Sequence, residues 1–340
     1  MYLTTNNKSN HIKISAPYLS SLIFIFTTAF TSCQTTYSQP GQYTSNLMAD
    51  KFRYYFNAEQ YDSIHVMFAP EMQKRTSLKK LKNSLHDLKS KVGQLIDMQL
   101  IRNKNGVYVF KGSTEITALD FTFAFNEVNQ FRKMDINFHE LVDAPTLERN
   151  TTKLILPFHG DWYVFWGGTT LSQNYHVAQK HQQGAFDFLI NDKRGKSYKT
   201  DGRSNSDYYA FGKEIIAPCD GKIIRVLEGV KDNTVPGMNK IQAYGNCVML
   251  ETKNKEYIVF AHLKMNSIKV KKGQKIKQGD ILGLCGNSGN STEPHLHFSV
   301  QNIPELQIAT GAKCYFEKII VNGKIKEDYM PVRGDVINNK

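Results

Sequence analysis

From about residue 154 onward the sequence is built of short apolar runs cut apart by turn residues: WYVFWGG, AFDFLI, KIIRVLE, CVMLET, EYIVFAHL and HLHFSV, with Gly, Asn, Asp and Pro between them. Runs of this length suit strands, and no long 3.6-residue period crosses them to offer a helical alternative. The pattern predicts a mostly β domain, a compact antiparallel sheet over residues 154–340.

The first half has a different order. Met48, Phe52, Tyr55 and Phe56 recur at helical spacing. Ser77 stands where an N-cap belongs, ahead of a stripe of Leu78, Leu81, Leu85, Leu88 and Val92 that Gly93 closes. Asn105-Gly106 reads as a hairpin turn. Beyond it Leu119, Phe121, Phe123 and Phe125 alternate with Asp120, Thr122 and Ala124, giving one buried strand face. Helices followed by an antiparallel sheet predict a small α+β domain over residues 45–139, similar in shape and order to the nuclear-transport-factor-like folds. Residues 34–44 read as a tether and 140–153 as a polar linker. His65, His86 and His139 form no constellation, and His86 is expected on a solvated helix face. This domain reads as a binding or spacing module.

Lys8 and Lys13 precede an apolar stretch from Leu19 to Phe30. At about a dozen residues it is shorter than the ~18 or more of a membrane span, and residues 1–33 have the layout of a secretory signal. Thr31-Ser32-Cys33 resembles a bacterial lipoprotein cleavage site, with Phe30 where an aliphatic residue is usual. That likeness implies export to the cell envelope and a lipid anchor on Cys33; the alternative is plain secretion with cleavage nearby. Cys219, Cys247, Cys285 and Cys314 lack CxxC spacing, so buried free thiols are expected rather than a cysteine metal site. The chain carries 43 Lys and Arg against 31 Asp and Glu, a net charge of +12. Such a charge attracts polyanions, but neither a basic block nor a nucleic-acid motif is present, which leaves an anionic envelope as the fitting partner.

Six of the ten histidines fall between His159 and His297. The densest signal is Pro294-His295-Leu296-His297-Phe298. On a strand, residues two apart share a face, so His295 and His297 project together while Leu296 faces the core. Paired imidazoles on one face suit a metal ligand beside a catalytic neighbour.

The stretches YIVFAHL and VKKGQKIKQGDILGLCGNSGNSTEPHLHFSV closely resemble the core of the LytM/lysostaphin zinc metallopeptidases, where a strand ending in His-Leu leads through a Gly-punctuated hairpin and a Gly-Asn-Ser-Gly turn into HLHF. Gly273, Gly279, Gly283, Gly286 and Gly289 mark the corners. The likeness runs from about Lys213 to Val300. It implies His297 as a zinc ligand, Asp187 in AFDF as the carboxylate ligand, and His262 and His295 as catalytic histidines. Phe186 and Phe188 would turn to the opposite, buried face.

The first ligand histidine is less direct. The family's usual position, four residues before the Asp, holds Gln183 here. Both His176 and His181 remain candidates. Relatives with a long spacer carry Asn-Tyr-His, and a residue eleven before Asp187 can oppose it across a hairpin, so His176 is preferred and His181 is expected near the hairpin tip, away from the metal. His159 is expected to be structural or exposed. Two histidines and a carboxylate suit a hydrolytic zinc with an open position. The resemblance implies a zinc endopeptidase acting on the crosslinks or stem peptides of bacterial peptidoglycan, with polar segments 191–214 and 228–246 walling a groove. The alternatives are an inactive scaffold of the same fold that binds peptidoglycan or activates another hydrolase, and a peptidase for other peptides.

Overall fold

A computed structural model describes residues 41–140 and 143–340. The signal-like stretch and Cys33 lie outside the described residues, as does most of the expected tether. No helix among the described residues is long and apolar enough to cross a membrane.

Four helices come first: α1 (Gln42–Asn57), α2 (Tyr61–Val66), α3 (Pro70–Arg75) and α4 (Leu78–Val92). Helix α1 begins three residues inside the stretch read as a tether. A meander follows, of β1 (Leu95–Lys104), β2 (Val107–Thr114), β3 (Ala118–Phe125) and β4 (Phe131–Phe138), all antiparallel. Ser77 caps α4 by accepting the Lys80 N–H at 3.3 Å. Asn105 and Gly106 take φ of 50° and 73°, the two-residue turn that matches strand twist. The helices close over the sheet on a core of aromatic rings, with Phe52 against Phe121 at 5.6 Å and Phe123 against Phe131 at 4.8 Å. His86 is exposed beside Glu59, as a solvated helix face requires.

The second domain contains β5 (Trp162–Trp166), β6 (Phe186–Leu189), β7 (Glu214–Ile216), β8 (Gly221–Leu227), β9 (Asn246–Glu251), β10 (Tyr257–Leu263), β11 (Lys275–Ile276), β12 (Ile281–Leu284), β13 (Leu296–Gln301), β14 (Gly311–Ala312), β15 (Phe316–Val321), β16 (Lys324–Tyr329) and β17 (Val336–Asn339). The main sheet runs β11-β8-β9-β10-β13-β6-β5-β17-β15-β16, with β14 also on β13, and β12 pairs with β7 separately. Every pairing is antiparallel, as the short runs and tight turns dictate.

The two faces of this sheet differ in chemistry. Phe186, Phe188, Phe260, Leu296 and Phe298 point to the main core with Ile215 and Leu282 of the small sheet. Each fully buried side chain of this kind contributes about 1.5–3 kcal/mol. On the opposite face lie Asp187, His297 and, further along, a smaller apolar patch of Cys247, Met249, Val259 and Ala261. The accessory domain's Ile116 packs on that patch. Cys219, Cys247, Cys285 and Cys314 are free and buried, and burial pushes the Cys219 and Cys247 thiols up to about 12.

Much of the stretch read as a linker is bound to the second domain. Arg149 bridges Lys313 in parallel, and Asn150 exchanges side-chain hydrogen bonds with the Tyr315 backbone at 2.9 and 2.7 Å. The buried carboxylate of Glu256 accepts the Thr151 hydroxyl at 2.8 Å and the Thr152 N–H at 3.1 Å, besides the Thr151 N–H. These polar groups satisfy one another within the fold. Glu256→Ala leaves those donors without their acceptor, so it should lower the second domain's urea stability by about 1–3 kcal/mol and speed proteolysis within residues 143–153.

Candidate metal centre and catalytic cleft

Strands β6 and β13 pair with Asp187 directly opposite His297, and with Phe186 opposite Phe298. Because side chains alternate along each strand, packing the phenylalanines into the core forces the carboxylate and the imidazole together on the other face. His297 Nδ1 lies 2.9 Å from Asp187 Oδ1.

His176 arrives from a 3-10 turn, Tyr175–Ala178, between β5 and β6. It is not on a strand opposing Asp187, which corrects the hairpin geometry inferred from spacing; the Asp187 partner on that side is Trp166. Asn174, fully buried, sets the imidazole. Its Nδ2 donates to the Gly168 and Ala185 carbonyls at 3.1 and 2.8 Å, which turns Oδ1 toward the His176 ring at 2.9 Å. That bond places the proton on Nδ1 and leaves Nε2 bare, 3.6 Å from Asp187 Oδ2. One donor atom each from His176, Asp187 and His297 lies within 4.8 Å of the others. Gln183, four residues before Asp187, lines a separate cavity with Lys180 and Gly311. His181 is not one of the converging three, yet it lines the same cleft as His176 and His297, nearer than its expected place at a hairpin tip.

The electrostatics favour a cation. Burial pushes His176 down to about 4, so the ring is neutral and its lone pair is available at neutral pH. Burial alone would raise Asp187, but the surrounding imidazoles outweigh it and hold the carboxyl well below its usual range. The buried Nε2 of His297 has no hydrogen-bond partner among the described residues. Two imidazoles, one ionised carboxylate and an unsatisfied ring nitrogen fit a divalent metal, and the N,N,O donor set suits zinc.

His262 and His295 flank this triad. His262 sits where β10 breaks register between Phe260 and Leu263, with φ of 62°. Regular alternation would bury it beside Phe260; the bulge turns it to the metal face, in a conformation that costs a non-glycine residue about 1–3 kcal/mol. Its backbone N–H donates to the Tyr244 carbonyl at 3.1 Å and its Nδ1–H to the Ser288 carbonyl at 2.8 Å. The turn holding Ser288 is fixed in turn: Asp232 accepts the Asn287 N–H at 2.7 Å, and Gly289, at φ 79°, passes so near the Gly245 backbone that a Cβ would lie 2.4 Å from its nitrogen. His295 donates Nδ1–H to the Glu293 carbonyl at 2.8 Å. Both rings therefore aim Nε2 into the cleft, that of His295 lying 3.6 Å from Asp187 Oδ1, and their centroids are 4.8 Å apart.

On one side of the centre a 380 Å³ depression holds Phe165, Trp166 and Tyr175 with Met238 and Lys240; on the other a 170 Å³ cleft holds Gln179, His181, Tyr244 and Gln307. Segment 228–246 thus supplies walls on both sides, whereas segment 191–214 meets the site through the Ser197 hydroxyl on Glu293. His159 is exposed and outside the cleft. Sequence reasoning missed Asn174 as the residue that orients a ligand; a side-chain amide two residues before a candidate ligand histidine is the signal that marks it.

Residues 206–308 match Peptidase family M23, and residues 49–134 match a protein family of unknown function, DUF3887. The first stretch includes His262, His295 and His297 and leaves His176 and Asp187 upstream. The chain is 26% identical over 190 residues to the peptidoglycan DD-endopeptidase ShyB of Vibrio cholerae, covering 56% of this chain and 36% of that protein. It is 43% identical over 56 residues to the peptidoglycan DD-endopeptidase ShyA of the same organism, covering 16% of this chain and 13% of that protein. The chain thus spans little more than a third of ShyB and far less of ShyA. Among solved structures, the catalytic domain of the antimicrobial peptidase lysostaphin from Staphylococcus simulans aligns at 22% identity and a TM-score of 0.28, over 45% of this chain and 88% of that one.

Asn174→Ala should keep the fold but weaken metal binding by about 10–100-fold, measured by competition against a chromogenic chelator. For chelator-treated protein the sign of the pH effect is fixed. His176 titrates at about 4 in the folded chain and near 6.5 when unfolded. The unfolded state then binds more protons between these values, so the urea midpoint should fall as pH drops from 6.5 toward 4.

Proposed function

We propose, on the premise that the chain carries a Peptidase family M23 domain, that it is a zinc-dependent endopeptidase hydrolysing peptide crosslinks or stem peptides of bacterial peptidoglycan. The observation that carries this reading is the convergence of His176, Asp187 and His297 within 4.8 Å of one another, with His262 and His295 alongside. Relatives named as peptidoglycan DD-endopeptidases support the substrate class.

His176, Asp187 and His297 would hold the ion. Zinc bound there would supply Lewis acidity, polarising a peptide carbonyl and making water acidic enough to act as nucleophile near neutral pH. The remaining chemistry belongs to the chain. His262 and His295, each with Nδ1–H tied to a backbone carbonyl, present Nε2 as a proton acceptor, and once protonated as a donor to an oxyanion or to the departing amine. Burial keeps His262 well below its usual range, hence neutral at neutral pH. Trp166 and Tyr175 form a shelf against which a peptide can lie, and Lys240 and Glu293 offer both signs of charge at its edge. The basic N-terminus, apolar stretch and Cys33 support export to the cell envelope and a lipid anchor there.

Two variants test the roles separately. His297→Ala should lose zinc, read by atomic absorption, together with muropeptide release from purified sacculi, read by mass spectrometry. His295→Ala should keep zinc and lose about 10²–10⁴-fold in turnover. A zinc-loaded, active His297→Ala protein would falsify the ligand assignment.

A further inference from the structure

The sheet face that carries Asp187 and His297 does not end at the metal centre. It continues through Ala261, Val259 and Met249 into the patch completed by Tyr244 and Leu306, and the accessory domain's Ile116 packs there. Directional bonds fix the contact. The Ile116 carbonyl accepts the Leu306 N–H at 3.1 Å and Arg225 Nη1 at 3.2 Å, and Arg225 also donates to the Pro304 carbonyl at 2.8 Å. The Leu306 carbonyl accepts the Tyr244 hydroxyl at 3.1 Å, and the Tyr244 carbonyl accepts the His262 N–H at 3.1 Å. A chain of hydrogen bonds therefore runs from the turn after β2 to a histidine of the cleft.

A second observation concerns space. A cavity of about 280 Å³ opens between the domains, lined by Ser90, Lys91 and Glu115 from one and by Glu228, Ile241 and Gln307 from the other. Ala243, Tyr244 and Gln307 line both this cavity and the metal-side cleft, so the two depressions share one wall. The far cavity presents both signs of charge, a carboxamide and an isoleucine that is 50% exposed.

We infer that the accessory domain forms the distal end of the substrate groove, and that the interdomain cavity seats the far arm of a crosslinked peptide whose scissile bond lies at the metal centre. The inference rests on the hydrolase reading above and gives the accessory domain a part in substrate binding. The lining selects the occupant. Lys91, whose ammonium holds Asp87 at 2.8 Å, has further donors for a carboxylate. Glu115 and Glu228 each spend one oxygen on a backbone N–H, of Gln94 and Ile268, and keep the other for an ammonium. Gln307 meets a peptide group and Ile241 an aliphatic stem, which together describe a zwitterionic peptide arm rather than a neutral glycan.

The test uses the full chain, Lys91→Glu on the accessory side, Ile241→Asp on the other, and two synthetic substrates: a crosslinked dimer of stem peptides and a minimal peptide spanning only the crosslink. In each variant the ratio of KM for the dimer to KM for the minimal peptide should rise about tenfold, the scale of one lost interface anchor. The dissociation constant of the dimer from chelator-treated protein, measured by calorimetry, should rise by the same factor. An unchanged ratio together with an unchanged dissociation constant overturns the inference, as does equal loss on both substrates. If wild type cleaves neither substrate yet binds the dimer, and both variants weaken that binding, the groove stands and the hydrolase reading falls instead.

Discussion

The structure depends on one register: the antiparallel pairing of β6 with β13 that sets Asp187 opposite His297. A shift of one residue would send the phenylalanines to the polar face and the ligands into the core. Aromatic packing among Phe186, Phe188, Phe298 and Phe316 makes such a shift costly, so apolar burial on one side of the sheet fixes polar geometry on the other. The centre's precision is a by-product of the core beneath it.

Around that pair the side chains are held by buried polar groups rather than by their own strands. Asn174 binds His176, and the Ser288 carbonyl binds His262. Asn246, fully buried, accepts the Val230 N–H at 2.9 Å and donates to the Val230 and Leu263 carbonyls, linking the loop before β9 to the strand end that carries His262. The Asn174 and Asn246 amides close four and three bonds in a low-dielectric setting, where a missing partner is costly. The result is a site whose imidazoles enter with tautomer and direction already set.

Legibility in the sequence followed periodicity. Helix α4 with its Ser77 cap and Gly93 stop, the Asn105-Gly106 turn and the alternating face of β3 were readable because each is a local pattern with a local cause. That His295 and His297 share a face was legible from strand alternation, whereas Asp187 was named only through the resemblance of AFDF and its companion motifs. The position of His176 was harder, since a 3-10 turn has no sequence period and its anchor, Asn174, acts through tertiary bonds. The bulge at His262 was invisible for the same reason: nothing in YIVFAHL announces that alternation stops after Phe260. The bonds of residues 143–153 to the second domain were not legible, because polar composition cannot distinguish groups bonded to water from groups bonded to Glu256 and Lys313.

The four buried thiols carry a further consequence. A cysteine reacts as its thiolate, and in the folded domain burial both raises the energy of that form and keeps reagents away. Alkylation of Cys219, Cys247, Cys285 or Cys314 therefore requires the sheet to open first. Spread over β9, the end of β12 and the approaches to β8 and β15, these sulfurs act as internal timers of breathing, their labelling rates ranking which seams of the second domain part soonest.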